Sequence, residues 1–169
     1  MLEIRLLEEA DAGVYRELRL EALQGEPLAF GSAYADYAAR SLEQIREQLK
    51  PQAEARFTLG AFQEGRLVGM ATLVRHEGTK FRHTAGVYAV YVQPAARGQG
   101  ISRRLMHTLI EKARTFSGLE QLTLAVSTHQ QAARQLYRSL GFEVWGYEKR
   151  ALKVGQTYTD FEHMVLWLG

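Results

Sequence analysis

Gly98 and Gly100 stand one residue apart in the run Arg97-Gly-Gln-Gly-Ile-Ser102, with Arg103 directly after it. Neither glycine carries a β-carbon, so a ligand can come close to the backbone there. Where such a turn leads from a strand into a helix, unpaired N–H groups converge on one spot, and the helix dipole favours negative charge at it. The chemistry this spacing supports is phosphate binding. The lysine followed by serine or threonine of a nucleoside triphosphate loop is absent, and the third glycine of the dinucleotide fingerprint would fall on Arg103. A tight turn that only caps a helix satisfies so short a pattern as well.

A strand and a helix are indeed predicted on either side of the turn. Thr84 to Val92 is a strand free of charged residues, which predicts a central position with both faces covered. Pro94 and the glycines end it. Leu105, Met106, Leu109, Ile110 and Ala113 then form one helical face, with Arg104, His107, Glu111 and Lys112 opposite. Upstream, Leu2 to Leu6 reads as a strand, and a helix from Ala12 stacks Val14, Leu18 and Ala22 before Gly25 and Pro27 stop it. Ser41-Leu-Glu-Gln44 has the form of a capping box, followed by an apolar stripe of Leu42, Ile45 and Leu49 that ends at Pro51. Phe57 to Gln63 and Arg66 to Arg75 predict a hairpin around Glu64-Gly65. A strand from Gln121 to Ser127 leads to a helix from about Gln130, with Ala133, Leu136, Tyr137 and Leu140 inward and Gly141 as its stop. Strands near Phe142 to Leu152 and Phe161 to Leu168 close the pattern.

The 169 residues fit one domain, 1–169, with no repeat or linker. A formal net charge of +2 gives no ground for a nucleic-acid partner, so any basic site must be local. The absence of cysteine removes disulfides, thiolate metal sites and a cysteine nucleophile, and no metal is expected. The start lacks the apolar core of a signal peptide, and no apolar run reaches the ~18 residues of a membrane span, so the expectation is a cytoplasmic protein with no membrane partner.

From about Leu59 to Leu166 the chain resembles the GNAT N-acetyltransferases in four segments that occur in order. Tyr91-Val-Gln-Pro94 followed by Ala96-Arg-Gly-Gln-Gly-Ile101 is similar to the family's cofactor motif, Arg/Gln-x-x-Gly-x-Gly/Ala, with Arg97 first and Gly100 fourth; Ser102 replaces its last residue. Leu124-Ala-Val126, Ala133-Arg-Gln-Leu-Tyr137 and Gly141-Phe142 resemble its second signature. Two positions depart: Gln130 stands where many members have asparagine, and Ala125 where the ribosomal-protein-acetylating branch has a glutamate base, which argues against that branch. Gly65-Arg-Leu-Val-Gly69 resembles the hairpin before the cofactor strand, and Tyr158-Thr-Asp160 to Met164-Val-Leu166 the closing strand.

The resemblance implies an α/β (α+β) GNAT fold: a mixed, mostly antiparallel sheet of about six to seven strands, four helices and a splayed central strand pair. It implies acetyl-CoA as co-substrate, with its pantetheine arm along Val90, Tyr91 and Val92 and its pyrophosphate over Gly98, Gln99, Gly100, Ile101, Ser102 and Arg103. Arg97, Gln130 and Tyr137 complete the implied cofactor set. A backbone N–H at Tyr91 or Val92 would polarise the thioester carbonyl. Tyr137 matches the tyrosine that serves as general acid near the sulfur, although it also lies on an apolar stripe and would fit core packing. For the base, His83, Glu162 and His163 are candidates, and a water chain is another. Acceptor specificity falls to the loop Pro27-Leu-Ala-Phe-Gly-Ser32, with Phe30, Gly31 and Ser32 as candidate substrate residues, and to the region of Trp145, Tyr147 and Tyr158, with Tyr158 as a further candidate. The expected partner is a small-molecule or peptide amine, with a homodimer as a further expectation. An acyl-CoA-binding sensor of the same fold stays open as the alternative.

Overall fold

A computed structural model describes the whole chain, Met1–Gly169. Strand β1 (Leu2–Leu6) is followed by helix α1 (Ala12–Gly25), a short α2 (Tyr34–Ala38) and α3 (Leu42–Leu49). The inner face of α1 is Ala12, Tyr15, Leu18, Arg19, Ala22 and Leu23, at i+3 and i+4 steps; Val14, expected inward, points to solvent. In α3 the capping box forms as expected: Gln44 N–H donates to Ser41 Oγ at 3.1 Å, and Ser41 N–H to Gln44 Oε1 at 2.9 Å. Ile45 and Leu49 are buried, but Leu42, in the first turn, is exposed. The five-residue α2 is too short to show an apolar period, and it raises the helices from the expected four to five.

Strands β2 (Arg56–Gln63) and β3 (Arg66–Arg75) form the predicted hairpin, with Glu64 at φ 50° and Gly65 at φ 78°, both in the left-handed region that suits a two-residue turn. Strand β4 (Thr84–Val92), helix α4 (Ile101–Arg114), strand β5 (Gln121–Ser127), helix α5 (Gln131–Ser139) and the hairpin of β6 (Glu143–Val154) and β7 (Thr157–Trp167) complete the chain. This last hairpin is longer than expected, its strands running through to a turn at Gly155. The sheet has seven strands in the order β1-β2-β3-β4-β5-β7-β6, antiparallel throughout except for β4 and β5.

One buried cluster joins α1, α3 and the inner residues Leu67, Met70 and Tyr91; the other joins α4, Tyr137 of α5 and the opposite sides of β2 to β5. The middle of the sheet, β2 to β5, is therefore covered on both faces except at one place, while β6 and the far end of β7 are largely exposed. The parallel pair β4 and β5 runs only from Thr84 opposite Gln121 to Gly86 opposite Thr123, and beyond that the two strands part. A bulge marks the departure: Ala89 takes φ 55°, and the β3 register steps between Met70 and Thr72. Tyr88 is consequently 52% exposed in the middle of a strand expected to be covered on both faces. No helix is long and apolar enough to cross a membrane.

Candidate active site

The parting of β4 from β5 opens a cavity of about 620 Å³ that reaches residues from both faces of the sheet. Tyr15 and Arg19 of α1 and the loop residues Phe30, Gly31 and Ser32 line one side; Gln130, the N-cap of α5, and Ala133 and Tyr137 of that helix line the other; Tyr88, Ala89 and Val90 form the β4 wall. A second cavity of about 220 Å³ lies at the start of α4, bounded by Val92, Arg97, Gly98, Gly100, Ile101, Ser102 and Arg103, with Ala132 and Leu136 of α5. Helix α5 borders both, through Ala132 and Leu136 in one and Ala133 and Tyr137 in the other.

The smaller cavity has the properties of an anion cradle. Gly98 and Gly100 adopt φ 78° and 75°, a conformation other residues reach only with strain. Gly100 is the N-cap of α4 and supplies no side-chain cap, so the N–H groups of the first turn, Ile101 to Arg103, have no intrahelical partner. Arg103 lies at its rim, donating to Ser139 Oγ at 2.9 Å. Two expected members are otherwise engaged. The Arg97 guanidinium donates to the Val92 carbonyl at 2.9 Å and to Glu26 at 2.8 Å, so it pins the turn to the strand and to the end of α1. The Gln99 side chain accepts from Gln63 at 2.7 Å and turns toward the β2–β3 hairpin.

Backbone direction along β4 follows from one hydrogen bond. Gln93 N–H donates to Val68 on β3 at 2.8 Å, and backbone groups alternate sides along a strand, so those of Val92 face away from β3, as β5 does. The Val92 carbonyl is taken by Arg97, which leaves its N–H. Tyr91, by the same alternation, bonds toward β3. Its side chain is buried under α1, where burial and the Glu21 carboxylate that accepts its hydroxyl at 3.0 Å push the phenol up to about 12.

Tyr137 reaches the cavity from α5, packed edge-on against Phe142 with ring centroids 5.9 Å apart. No protein group bonds its hydroxyl, and burial alone raises its pKa above the ordinary phenol value, so it is protonated at neutral pH. Phe30, Gly31, Ser32, Val90 and Gln130 all border the same cavity. Tyr158 does not: it stands on β7 beside the guanidinium of Arg150, 4.8 Å from its ring centroid, away from the cavity lining, because the closing hairpin extends further than its sequence pattern indicated.

None of the candidate bases lines the cavity. Glu162 is fully buried between Arg134 and Arg138, and the hydrogen bond from Arg134 holds its carboxyl below the usual range. His163 pairs with Glu148 at 2.8 Å, and His83 uses its carbonyl to receive Glu120 and Gln121. Ala125 lines the cavity and brings no carboxylate there. No cluster of three or more His, Asp or Glu residues could hold a metal ion. Among the lining residues missing from the expected set are Tyr88, Phe161, Arg56 and Arg19. Arg19 had a readable signal, a charge on the apolar stripe formed by Tyr15, Leu18 and Ala22.

Residues 16–142 match the model of the acetyltransferase (GNAT) family. Among curated relatives, the N-alpha-acetyltransferase RimI of Mycobacterium tuberculosis is 39% identical over 97 residues, covering 57% of this chain and 58% of that protein. Across the curated relatives it matches, the chain spans from 22% to 58% of their lengths. A GNAT acetyltransferase structure from Streptococcus pneumoniae superposes over 100% of both chains with TM-score 0.87 and 25% identity. The structure of YncA, a putative acetyltransferase of Salmonella typhimurium solved with its cofactor acetyl-CoA, matches over 100% of this chain and 95% of its own with TM-score 0.84 and 25% identity.

Proposed function

The chain belongs to the acetyltransferase (GNAT) family, and on that premise we propose that it transfers an acetyl group from acetyl-CoA to a primary amine of a small molecule or peptide, by direct attack, with Tyr137 as general acid. The observation that carries the reading is the gap between β4 and β5, which opens a cavity to both sheet faces beside an uncapped helix N-terminus. One face can then admit the donor and the other the acceptor. The YncA structure with acetyl-CoA supports the donor, and the name of the Mycobacterium tuberculosis relative supports an amine as acceptor.

In this reading the first-turn N–H groups of α4 and Arg103 hold the pyrophosphate, and the free edge of β4 from Val90 to Val92 holds the pantetheine arm. When bound, acetyl-CoA supplies an acetyl group activated as a thioester. The Val92 N–H, left unpaired on the side away from β3, donates to the thioester carbonyl and favours the charge that develops on its oxygen. Tyr137, held protonated by burial, donates its proton to the departing sulfur. Of the ionisable groups lining the cavity, Glu26 is engaged by Arg97 and the others are arginines and tyrosines, so the neutral amine is drawn from solution. As the C–N bond forms and the C–S bond breaks, the proton lost by the attacking nitrogen returns, directly or through water, to the Tyr137 phenolate.

Thiol release from acetyl-CoA over a panel of amines, amino acids and peptides tests the proposal. Acceptor-dependent release is the expected result. Binding of acetyl-CoA with no release on any acceptor would overturn it in favour of a sensor, and thermal stabilisation by ATP but not by CoA would overturn the donor assignment.

A further inference from the structure

Arg19 is a buried cation with no partner. It is 9% exposed, lies on the inner face of α1 and lines the large cavity. Its Nη1 is buried without a hydrogen-bond partner, and no carboxylate forms an ion pair with it. The rings of Phe30 and Tyr37 lie 5.0 and 5.8 Å from its guanidinium carbon, contacts that attract a cation without engaging its N–H donors. Burial lowers its pKa, because the enclosed site solvates the charge poorly.

Other arginines of the fold have protein acceptors. Arg75 is equally buried and donates to the carbonyls of Arg82, Glu54 and Ser117 at 2.6, 3.3 and 2.6 Å. Arg134 and Arg138 share Glu162. Arg19 has no acceptor for any of its nitrogens, and it borders the cavity. The balance of charge there points the same way: Arg56 is a second lining cation without an ion pair, and the lining carboxylate, Glu26, is already held by Arg97. A polyamine or other multiply charged cation would meet an unfavourable field in this cavity. An anion would find planar, paired donors of the kind that match a carboxylate.

We propose that Arg19 binds a carboxylate on the acceptor, so that the preferred substrate is an amine that also carries a carboxylate, of the size of a free amino acid. The proposal rests on the acetyltransferase reading above and names the substrate class for it. Arg19 contributes recognition, and its loss is felt in acceptor KM rather than in donor binding.

The test compares the twenty common L-amino acids with their α-amides and with the corresponding decarboxylated amines, in the wild type, Arg19→Met and Arg19→Lys. In the wild type the best amino acid is expected to exceed its amide in kcat/KM by about 10- to 100-fold, the scale of a charge-assisted hydrogen bond. Arg19→Met is expected to abolish that preference by raising acceptor KM, to leave the KM for acetyl-CoA unchanged, and to melt no lower than the wild type, since it removes an unpaired buried charge; Arg19→Lys restores part of the preference. A short peptide used as well as the free amino acid would place the carboxylate elsewhere and overturn the proposal, as would equal use of acid and amide. Should no amine be acetylated, the acetyltransferase reading itself fails. Arg19 is then read separately, by thermal stabilisation of the CoA-saturated protein with N-acetyl amino acids against their amides: stabilisation by the acids alone, lost in Arg19→Met, supports the carboxylate subsite, and any other result overturns it.

Discussion

Replacing Tyr137 by Phe separates catalysis from packing because the structure gives the two opposite signs. The ring is 6% exposed and packs on Phe142, and both features survive the substitution. The hydroxyl bonds to no protein group, so no partner is orphaned by its removal. A hydroxyl that lines the cavity without a protein partner contributes nothing to the fold, so stability is expected to stay level or rise by up to about 1 kcal/mol, about 2–4 °C in Tm for a chain of this size. General acids contribute about 10²–10⁴-fold, or about 2.7–5.4 kcal/mol. A phenol whose pKa is raised by burial is a weak acid, which places Tyr137 at the lower end, with kcat about 100-fold below wild type. The assay is thiol release at saturating acetyl-CoA and acceptor, run beside a thermal melt and a titration of CoA binding, which is expected to be unchanged. Since the phenol titrates above its usual value, the wild-type profile should show no descending limb from this group below about pH 10. Turnover within a few fold of wild type refutes the acid role. Lost turnover together with a fall in Tm refutes the packing argument.

Arg103→Ala removes a cation from the rim of the cradle and is expected to raise the Kd for CoA about tenfold with kcat unchanged, the low end for a charged hydrogen bond because the side chain is exposed; calorimetry at two salt concentrations checks it. Glu162→Gln leaves Arg134 and Arg138 facing each other without their counter-ion and should cost about 3 kcal/mol at neutral pH, measured by denaturant unfolding. Because Arg134 holds the folded carboxyl below its unfolded value, the wild-type advantage is complete above about pH 4.3 and is lost as pH falls through the folded value, so the two proteins converge in acid. Leu105→Ala, at a fully buried position on α4, should cost about 3 kcal/mol and lower Tm by about 6–12 °C while leaving acceptor preference intact.

What was legible in the sequence was local. Gly98 and Gly100 permit positive φ wherever the chain goes, the spacing of Leu105, Met106, Leu109, Ile110 and Ala113 forms an apolar face on any helix, and Glu64-Gly65 turns a hairpin through its own backbone. The order of elements around the cradle followed from these. The α1 face was read with Val14 inward because a four-residue step through Val14, Leu18 and Ala22 is a valid helical period. The actual face includes Arg19, which no apolar count selects. The short α2 and the length of the last hairpin escaped for a related reason: one has too few residues for a period, and the other is sustained by pairing with a strand distant in sequence.

By itself, then, the sequence determined the glycine turn, the strand and helix that flank it, and, through the order of its motifs, the resemblance to one family. Only the tertiary structure decided what those parts enclose. The gap exists because β5 pairs with β4 for three residues and then leaves it. Arg97, at the edge of the smaller cavity, is tied to Glu26, and Arg19 is buried with nothing to balance it. Each of these is a relation between residues far apart in the chain, set by which partner occupies the space beside a side chain, and local spacing carries no record of that.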